Sequence, residues 1–220
     1  MNEIDNIASE AGEPGELQSD EQLMAAFARG RGGGTGRDSG DAFQTLFRRY
    51  RQPVFGFFRR RVVDAALAEE LAQETFLALL KAQGRYEARA LFRSYLYGIA
   101  FRVLKAHRRK AMLRAMFTGK MPEHGEPAVE MGAGVEAGIV SGLVLRDAVG
   151  RLERLDREMV LLREYEELSY AEIAAALGIP VNTVRSRLFR ARMALRELLA
   201  APAAGAAKDV TGLRGAEERA

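Results

Sequence analysis

The residues best suited to chemistry are arginines near the C-terminal end of the chain. Five of them fall within residues 181–196, with no acidic residue among them: Arg185, Arg187, Arg190, Arg192 and Arg196. A guanidinium donates paired hydrogen bonds to a phosphate, or to O6 and N7 of guanine, and an asparagine such as Asn182 suits adenine. This segment is therefore predicted to bind nucleic acid.

The residues before the arginines predict how the segment is held. Ser169 and Glu172 have the spacing of a capping box, Gly178 favours a tight turn, and Pro180 suits the first turn of a second helix. Helix, turn and helix form a DNA-binding motif whose second helix enters the major groove. The alternative is an ordinary helical hairpin with a solvated basic face. The residues predicted to contact DNA are Asn182, Thr183, Arg185, Ser186, Arg187 and Arg190.

A second positive surface lies earlier in the chain. Residues 41–118 hold 16 Lys and Arg against 6 Asp and Glu, whereas residues 119–140 hold 1 against 4. Two basic surfaces separated by an acidic stretch favour a polyanion that is contacted twice.

The elements that must position these residues are predicted to be helical throughout, because apolar residues recur at spacings of three and four. The fold class is all-α, with two small helical domains. The expected helices are about 20–29, 41–61, 64–83, 90–116, 141–152, 156–166, 169–177 and 181–199. A glycine-rich loop is expected at residues 30–40.

The expected domains are residues 20–118 and 141–200, and residues 1–19 and 201–220 are expected to be disordered tails. Residues 119–140, with five glycines and two prolines, form the predicted flexible linker. As a coil this linker spans ~26 Å, and fully extended ~70 Å, so the domains could dock far apart.

Composition excludes several classes of protein. The chain has no cysteine and two histidines, so disulfides, metal sites and a metal cofactor are not expected. No apolar run is long enough for a membrane helix, and the acidic start lacks an export signal, so a cytoplasmic protein is expected. No catalytic motif stands out, which argues against an enzyme.

Two stretches resemble a known family. The sequence "LSYAEIAAALGIPVNTVRSRLFRARMAL" resembles region 4 of the extracytoplasmic-function (ECF) sigma factors of bacterial RNA polymerase, and residues 41–114 resemble region 2 of the same family. The resemblance covers residues 20–118 and 141–199. It implies a promoter-specificity subunit that performs no covalent chemistry, with core polymerase and promoter DNA as partners, together with an anti-sigma factor.

The resemblance also assigns roles to residues. The second domain would read the minus-35 element, although Asn182 stands where the family often has glycine. The segment "EELAQETFLALLK" would bind the clamp helices of the largest polymerase subunit through Glu70, Gln73, Glu74 and Leu77. The minus-10 element would be captured and melted by Tyr86, Tyr95, Arg102, Lys105, Arg108 and Arg109.

Two rival functions follow from the same residues. A stand-alone helix-turn-helix regulator would bind a palindromic duplex without polymerase. A nucleic-acid enzyme would need clustered acids that hold magnesium, whereas Glu69, Glu70 and Glu74 lie on one predicted helix with no acidic partner segment evident.

Overall fold

The computed structural model describes residues 18–30, 36–83, 86, 91–118 and 139–200, and within these residues all regular structure is α-helical. The prediction of an all-α fold is therefore confirmed. The helices are α1 (Asp20–Arg29), α2 (Gly36–Arg59), α3 (Ala65–Lys81), α4 (Phe92–Thr118), α5 (Ile139–Arg151), α6 (Arg154–Glu164), α7 (Tyr170–Leu177) and α8 (Val181–Ala200).

Helices α1 to α4 form the first domain, and side-chain caps fix where two of them begin. The Ser19 hydroxyl accepts from the Gln22 amide at 3.2 Å, and the Gln22 side chain accepts from the Ser19 amide at 2.7 Å. The Asp64 carboxylate accepts from the Ala66 amide at 2.9 Å and starts α3. Each cap satisfies an amide that has no partner within its own helix.

The glycine-rich loop expected at residues 30–40 is shorter than predicted. Gly36–Gly40 already belong to α2, and residues 31–35 lie outside the described part of the chain. Tertiary contacts outweigh the poor helix propensity of glycine here, because the Ser39 hydroxyl donates to the Phe27 carbonyl at 3.1 Å. A Cβ on Gly30 would lie 2.3 Å from Ser39, so this close approach requires glycine.

Helices α5 to α8 form the second domain, which contains the predicted helix-turn-helix. The capping box of Ser169 and Glu172 starts α7, and Gly178 ends it with a left-handed φ of 69°. Val184, Leu188 and Ala191 of α8 follow one another at spacings of four and three and are buried. The turn and the buried stripe together fix which face of α8 remains exposed.

The two domains pack against each other through α4 and α7. A Cβ on Gly98 of α4 would lie 3.4 Å from the backbone oxygen of Ala176, which is ordinary contact distance, so a side chain larger than that of alanine would push the two helices apart. The predicted linker lies outside the described residues except for Ile139 and Val140, which begin α5. The predicted tails also lie outside them, apart from Gln18 and Ser19. The spacing of residues in the sequence does not predict this docking.

Candidate nucleic-acid interface

The exposed face of α8 lies opposite its buried stripe. Asn182, Arg185, Ser186 and Arg190 are exposed, and Thr183 is half-buried. Arg185 donates to the Asn182 side-chain oxygen at 3.2 Å, and the Ser186 hydroxyl donates to the Thr183 carbonyl at 3.1 Å. These four exposed side chains form a polar surface near the N-terminal end of α8, the part that a helix-turn-helix presents to DNA bases.

Arg187 occupies a different environment from the other residues predicted to contact DNA. Its guanidinium donates to Glu153 at 2.7 Å and to Asp156 at 2.9 Å, which ties α8 to the start of α6. The structure therefore gives Arg187 two carboxylate partners within its own domain. Its DNA contact stays a prediction.

Two apolar residues that were not predicted from the sequence lie on the same exposed face. Phe189 is 66% exposed and Met193 is 40% exposed. Phe189 follows Arg185 by four residues and Ser186 by three, so it extends the same helical stripe. This spacing was the signal that could have found it, because a core residue would have fallen on the stripe of Val184 and Leu188.

The second basic surface follows α4. Arg102, Lys105 and Arg109 are exposed, whereas Arg108 is half-buried and donates to Glu158 of α6 at 3.1 Å. These four side chains line a cleft of about 810 Å³ between the two domains. One wall of the cleft is the basic face of α4, and the other comes from α6 and the turn after α7.

Tyr86 and Tyr95 lie together at the start of α4. Their ring centroids are 5.3 Å apart and the planes meet at 65°, an edge-to-face contact. Glu21 of α1 accepts a hydrogen bond from the Phe92 amide at 3.1 Å and so caps α4. Burial, followed by the charge of Glu21, raises the pKa of Tyr86. Tyr97, by contrast, is only 2% exposed and is a core residue.

The stripe predicted to bind polymerase lies on the exposed side of α3. Glu70, Gln73 and Glu74 are exposed, and Leu77 is 54% exposed. The stripe therefore presents one large apolar side chain beside three polar ones, a composition suited to a protein interface.

His107 is a half-buried residue of α4. Burial and the neighbouring Arg114 lower its pKa, although Glu70 and Glu74 act in the opposite direction. These effects favour the neutral imidazole near pH 7.

The described part of the chain contains no cluster of three or more His, Cys, Asp or Glu that could hold a metal ion. Among the described helices, none combines the length and the apolar character that a membrane span requires.

Comparison with known proteins identifies the family. The family model "Sigma-70 region 2" matches residues 46–114, and "Sigma-70, region 4" matches residues 143–195. The chain is 35% identical over 178 residues to the ECF RNA polymerase sigma factor SigC of Mycobacterium tuberculosis, covering 80% of this chain and 91% of that protein. The chain belongs to the ECF sigma factors. The family resemblance found in the sequence is thereby confirmed.

Other ECF and related sigma factors agree with this assignment. The chain is 30% identical over 197 residues to the RNA polymerase sigma-H factor of Pseudomonas aeruginosa, covering 83% of this chain and 94% of that protein. As a sigma factor, the chain directs RNA polymerase to promoters. The stand-alone regulator is therefore not favoured.

Solved structures of sigma factors share the fold. The sigma factor RpoE from Bartonella quintana, solved with the anti-sigma factor NepR, has a TM-score of 0.61 and 22% identity, covering 71% of this chain and 96% of that one. CnrH, solved with the cytosolic domain of CnrY, has a TM-score of 0.54 and 24% identity, covering 83% and 97%. At this level of identity the likeness concerns the fold.

Proposed function

We propose that the two domains of this ECF sigma factor divide promoter recognition between them. The first domain binds core polymerase through α3 and melts the minus-10 element through α4, and the second reads the minus-35 element through α8. The observation that best supports this division is the exposed polar face of α8 behind a capped helix and a left-handed glycine turn. The chain acts through binding energy alone and performs no covalent chemistry.

The minus-35 element is read by Arg185, Ser186 and Arg190, with Asn182 and Thr183 beside them. An arginine that binds guanine, or an asparagine that binds adenine, contributes ~1 to 3 kcal/mol of discrimination. Phe189 adds an apolar contact to the methyl group of a thymine, a contact that an exposed aromatic side chain makes well.

The minus-10 element is held by the start of α4 and its basic face. Tyr86 and Tyr95 offer aromatic surface on which an unpaired base stacks, an interaction of ~1 to 3 kcal/mol. Arg102, Lys105 and Arg109 are exposed and hold phosphates of the separated strand. Arg108 joins them only when it leaves Glu158, because the same guanidinium cannot serve both anions fully.

Polymerase binds the stripe of Glu70, Gln73, Glu74 and Leu77. Helix-on-helix docking against the clamp helices of the largest subunit would bury Leu77 and pair the polar side chains along one register. All four side chains are exposed while the domains are docked, which supports binding without prior rearrangement.

An anti-sigma factor is the further expected partner. RpoE and CnrH were both solved with a protein partner, the anti-sigma factor NepR in one case and the cytosolic domain of CnrY in the other. We infer that this chain is restrained in the same general way, because its exposed α3 stripe and its interdomain cleft offer surfaces that a partner can cover.

Run-off transcription with purified core polymerase on a library of random promoters tests the proposal. We expect transcripts only when the chain is present, from templates that share two elements about 25 base pairs apart. Tight binding of a palindromic duplex without polymerase, together with no transcription, would favour the stand-alone regulator instead.

A further inference from the structure

The domain interface contains a buried cluster of charges. Arg61, two residues after the end of α2, donates from Nε to Glu158 at 2.6 Å and from a terminal nitrogen to Glu166 at 3.2 Å. The exposed fractions of these three side chains are 1% for Arg61, 3% for Glu158 and 1% for Glu166. Buried ions of this kind are rare unless they neutralise one another.

Further arginines of the first domain surround the same two glutamates. Arg60 pairs with Glu166 at 2.7 Å, and Arg108 pairs with Glu158 at 3.1 Å. Arg93 donates to the backbone oxygen of Glu166. Arg61 also donates to the Phe57 carbonyl of its own domain at 2.8 Å. The arginines of the cluster all come from the first domain and its two carboxylates from the second, so these ion pairs exist only while the domains are docked.

The buried ion pairs determine how the two domains are oriented more than how stable their docking is. The cost of removing water from buried ions offsets much of their attraction, so the pairs add little net stability. Removing one partner is costly, however, because the remaining charge stays buried and unpaired. Docking is therefore specific to the arrangement in which all these charges are satisfied.

The docked arrangement is too small to read a whole promoter. A compact body of about 160 residues has a diameter of ~40 Å. The minus-10 and minus-35 elements lie about 25 base pairs apart, which corresponds to ~85 Å of duplex. Both reading surfaces cannot occupy their elements while α4 and α7 remain in contact.

We propose that the cluster of Arg61, Glu158 and Glu166 is an intramolecular latch that keeps the unbound chain closed and must open when a promoter is engaged. This inference rests on the proposed division of the two promoter elements between the domains. The α3 stripe is exposed in the closed state, so polymerase binds first and the domains separate afterwards. Arg108 then exchanges Glu158 for a DNA phosphate.

Energy transfer between two dyes on the full-length chain measures the closed state. The chain contains no cysteine, so cysteines introduced at the exposed positions Arg51 of α2 and Glu197 of α8 are labelled selectively. We expect high transfer in the unbound protein. Addition of core polymerase and promoter DNA should lower it.

The latch itself is tested by Glu158→Gln combined with Glu166→Gln. These substitutions preserve shape but leave Arg61 without a charged partner, so the closed-to-open ratio should fall at least about tenfold. Glu164→Gln is the matched control, because Glu164 lies on the same helix and pairs with Arg192 within its own domain. The control should retain the transfer of the original chain.

Gly98→Leu provides a second route to the open state. The added side chain meets the Ala176 backbone and forces α4 from α7 without changing any charge. Helical content, measured by circular dichroism, should stay constant in both variants. Low energy transfer in the unbound original chain would disprove the latch. Equal energy transfer in the original chain and both variants would also disprove it. If the proposed function is wrong, neither the original chain nor any variant will support transcription, although the energy transfer will still differ between them.

Discussion

At the scale of single residues, similar arginines have different surroundings. Arg185 and Arg187 are two positions apart and looked alike in the sequence, but only the second has carboxylate partners on α6. Helical spacing puts both arginines near the DNA-facing end of α8 but does not reveal that Glu153 and Asp156 lie within reach of Arg187. Their partners depend on tertiary packing, which sequence spacing alone does not contain.

We predict opposite consequences for these two arginines. Arg185→Ala should weaken transcription from the cognate promoter by ~1 to 3 kcal/mol, roughly 5- to 150-fold, because one base contact is lost. Promoters altered at the contacted base should be affected far less. A uniform loss on every promoter would mean that Arg185 holds a phosphate.

Arg187→Ala should act on stability instead. The substitution removes the tie between α8 and α6, and we expect a lower midpoint of thermal unfolding with promoter preference unchanged. Arg190→Ala is the control, since Arg190 is exposed on the predicted DNA-binding face. A change of promoter preference without loss of stability would assign Arg187 to base recognition.

At the scale of helices, most of the architecture could be predicted from local signals. The capping boxes at Ser19 and Ser169, the turn at Gly178 and the apolar spacing of α4 each specify one helix end or one face. The start of α2 could not be predicted in this way, because it contains two glycines, which are poor helix formers, and Ser39 holds it to α1 through the Phe27 carbonyl. The cap of α4 could not be predicted from local signals either, because Glu21 lies 71 residues before the Phe92 amide that it caps.

The α3 stripe gives a prediction at this scale. Glu70→Lys combined with Gln73→Ala should abolish transcription with core polymerase, because the charge and the polar register of the stripe both change, while helical content stays intact. Glu69→Lys is the control on the neighbouring face of the same helix and should have a small effect. Unchanged transcription in the double variant would remove the docking assignment.

Glu21 gives a second prediction for the helices. Glu21→Ala should lower stability by ~1 kcal/mol, because the first turn of α4 loses its cap. It should also slow promoter opening, measured by permanganate reactivity of unpaired thymines, since Tyr86 and Tyr95 are positioned by that turn. Glu21→Gln should retain most of the stability and most of the rate of promoter opening. If the alanine variant opens promoters at the original rate, promoter melting does not depend on this cap.

At the scale of the whole molecule, the docking of the domains could not be predicted. Arg61, Glu158 and Glu166 are three among 33 basic and 30 acidic residues, and nothing in their spacing marks them as buried. Their pairing joins positions about one hundred residues apart. Only the folded arrangement shows that they neutralise one another.

The closed state should respond to acid. Burial raises the pKa of Glu158, but Arg61 and Arg108 lower it further, so the carboxyl titrates below its usual 4.5. Protons therefore bind the separated state more tightly, and docking should be constant above about pH 5 and weaken as the pH falls below it. Energy transfer across a pH series measures this. Separation between pH 6 and 7 would point to a histidine instead.

Arg108 has a further consequence for gene expression. It holds Glu158 while the protein is idle and is assigned to the DNA backbone during initiation. In the proposed scheme, Arg108 cannot pair with Glu158 and bind a DNA phosphate at the same time. A cell carrying Glu158→Gln should show leaky transcription of its target genes before any inducing signal arrives.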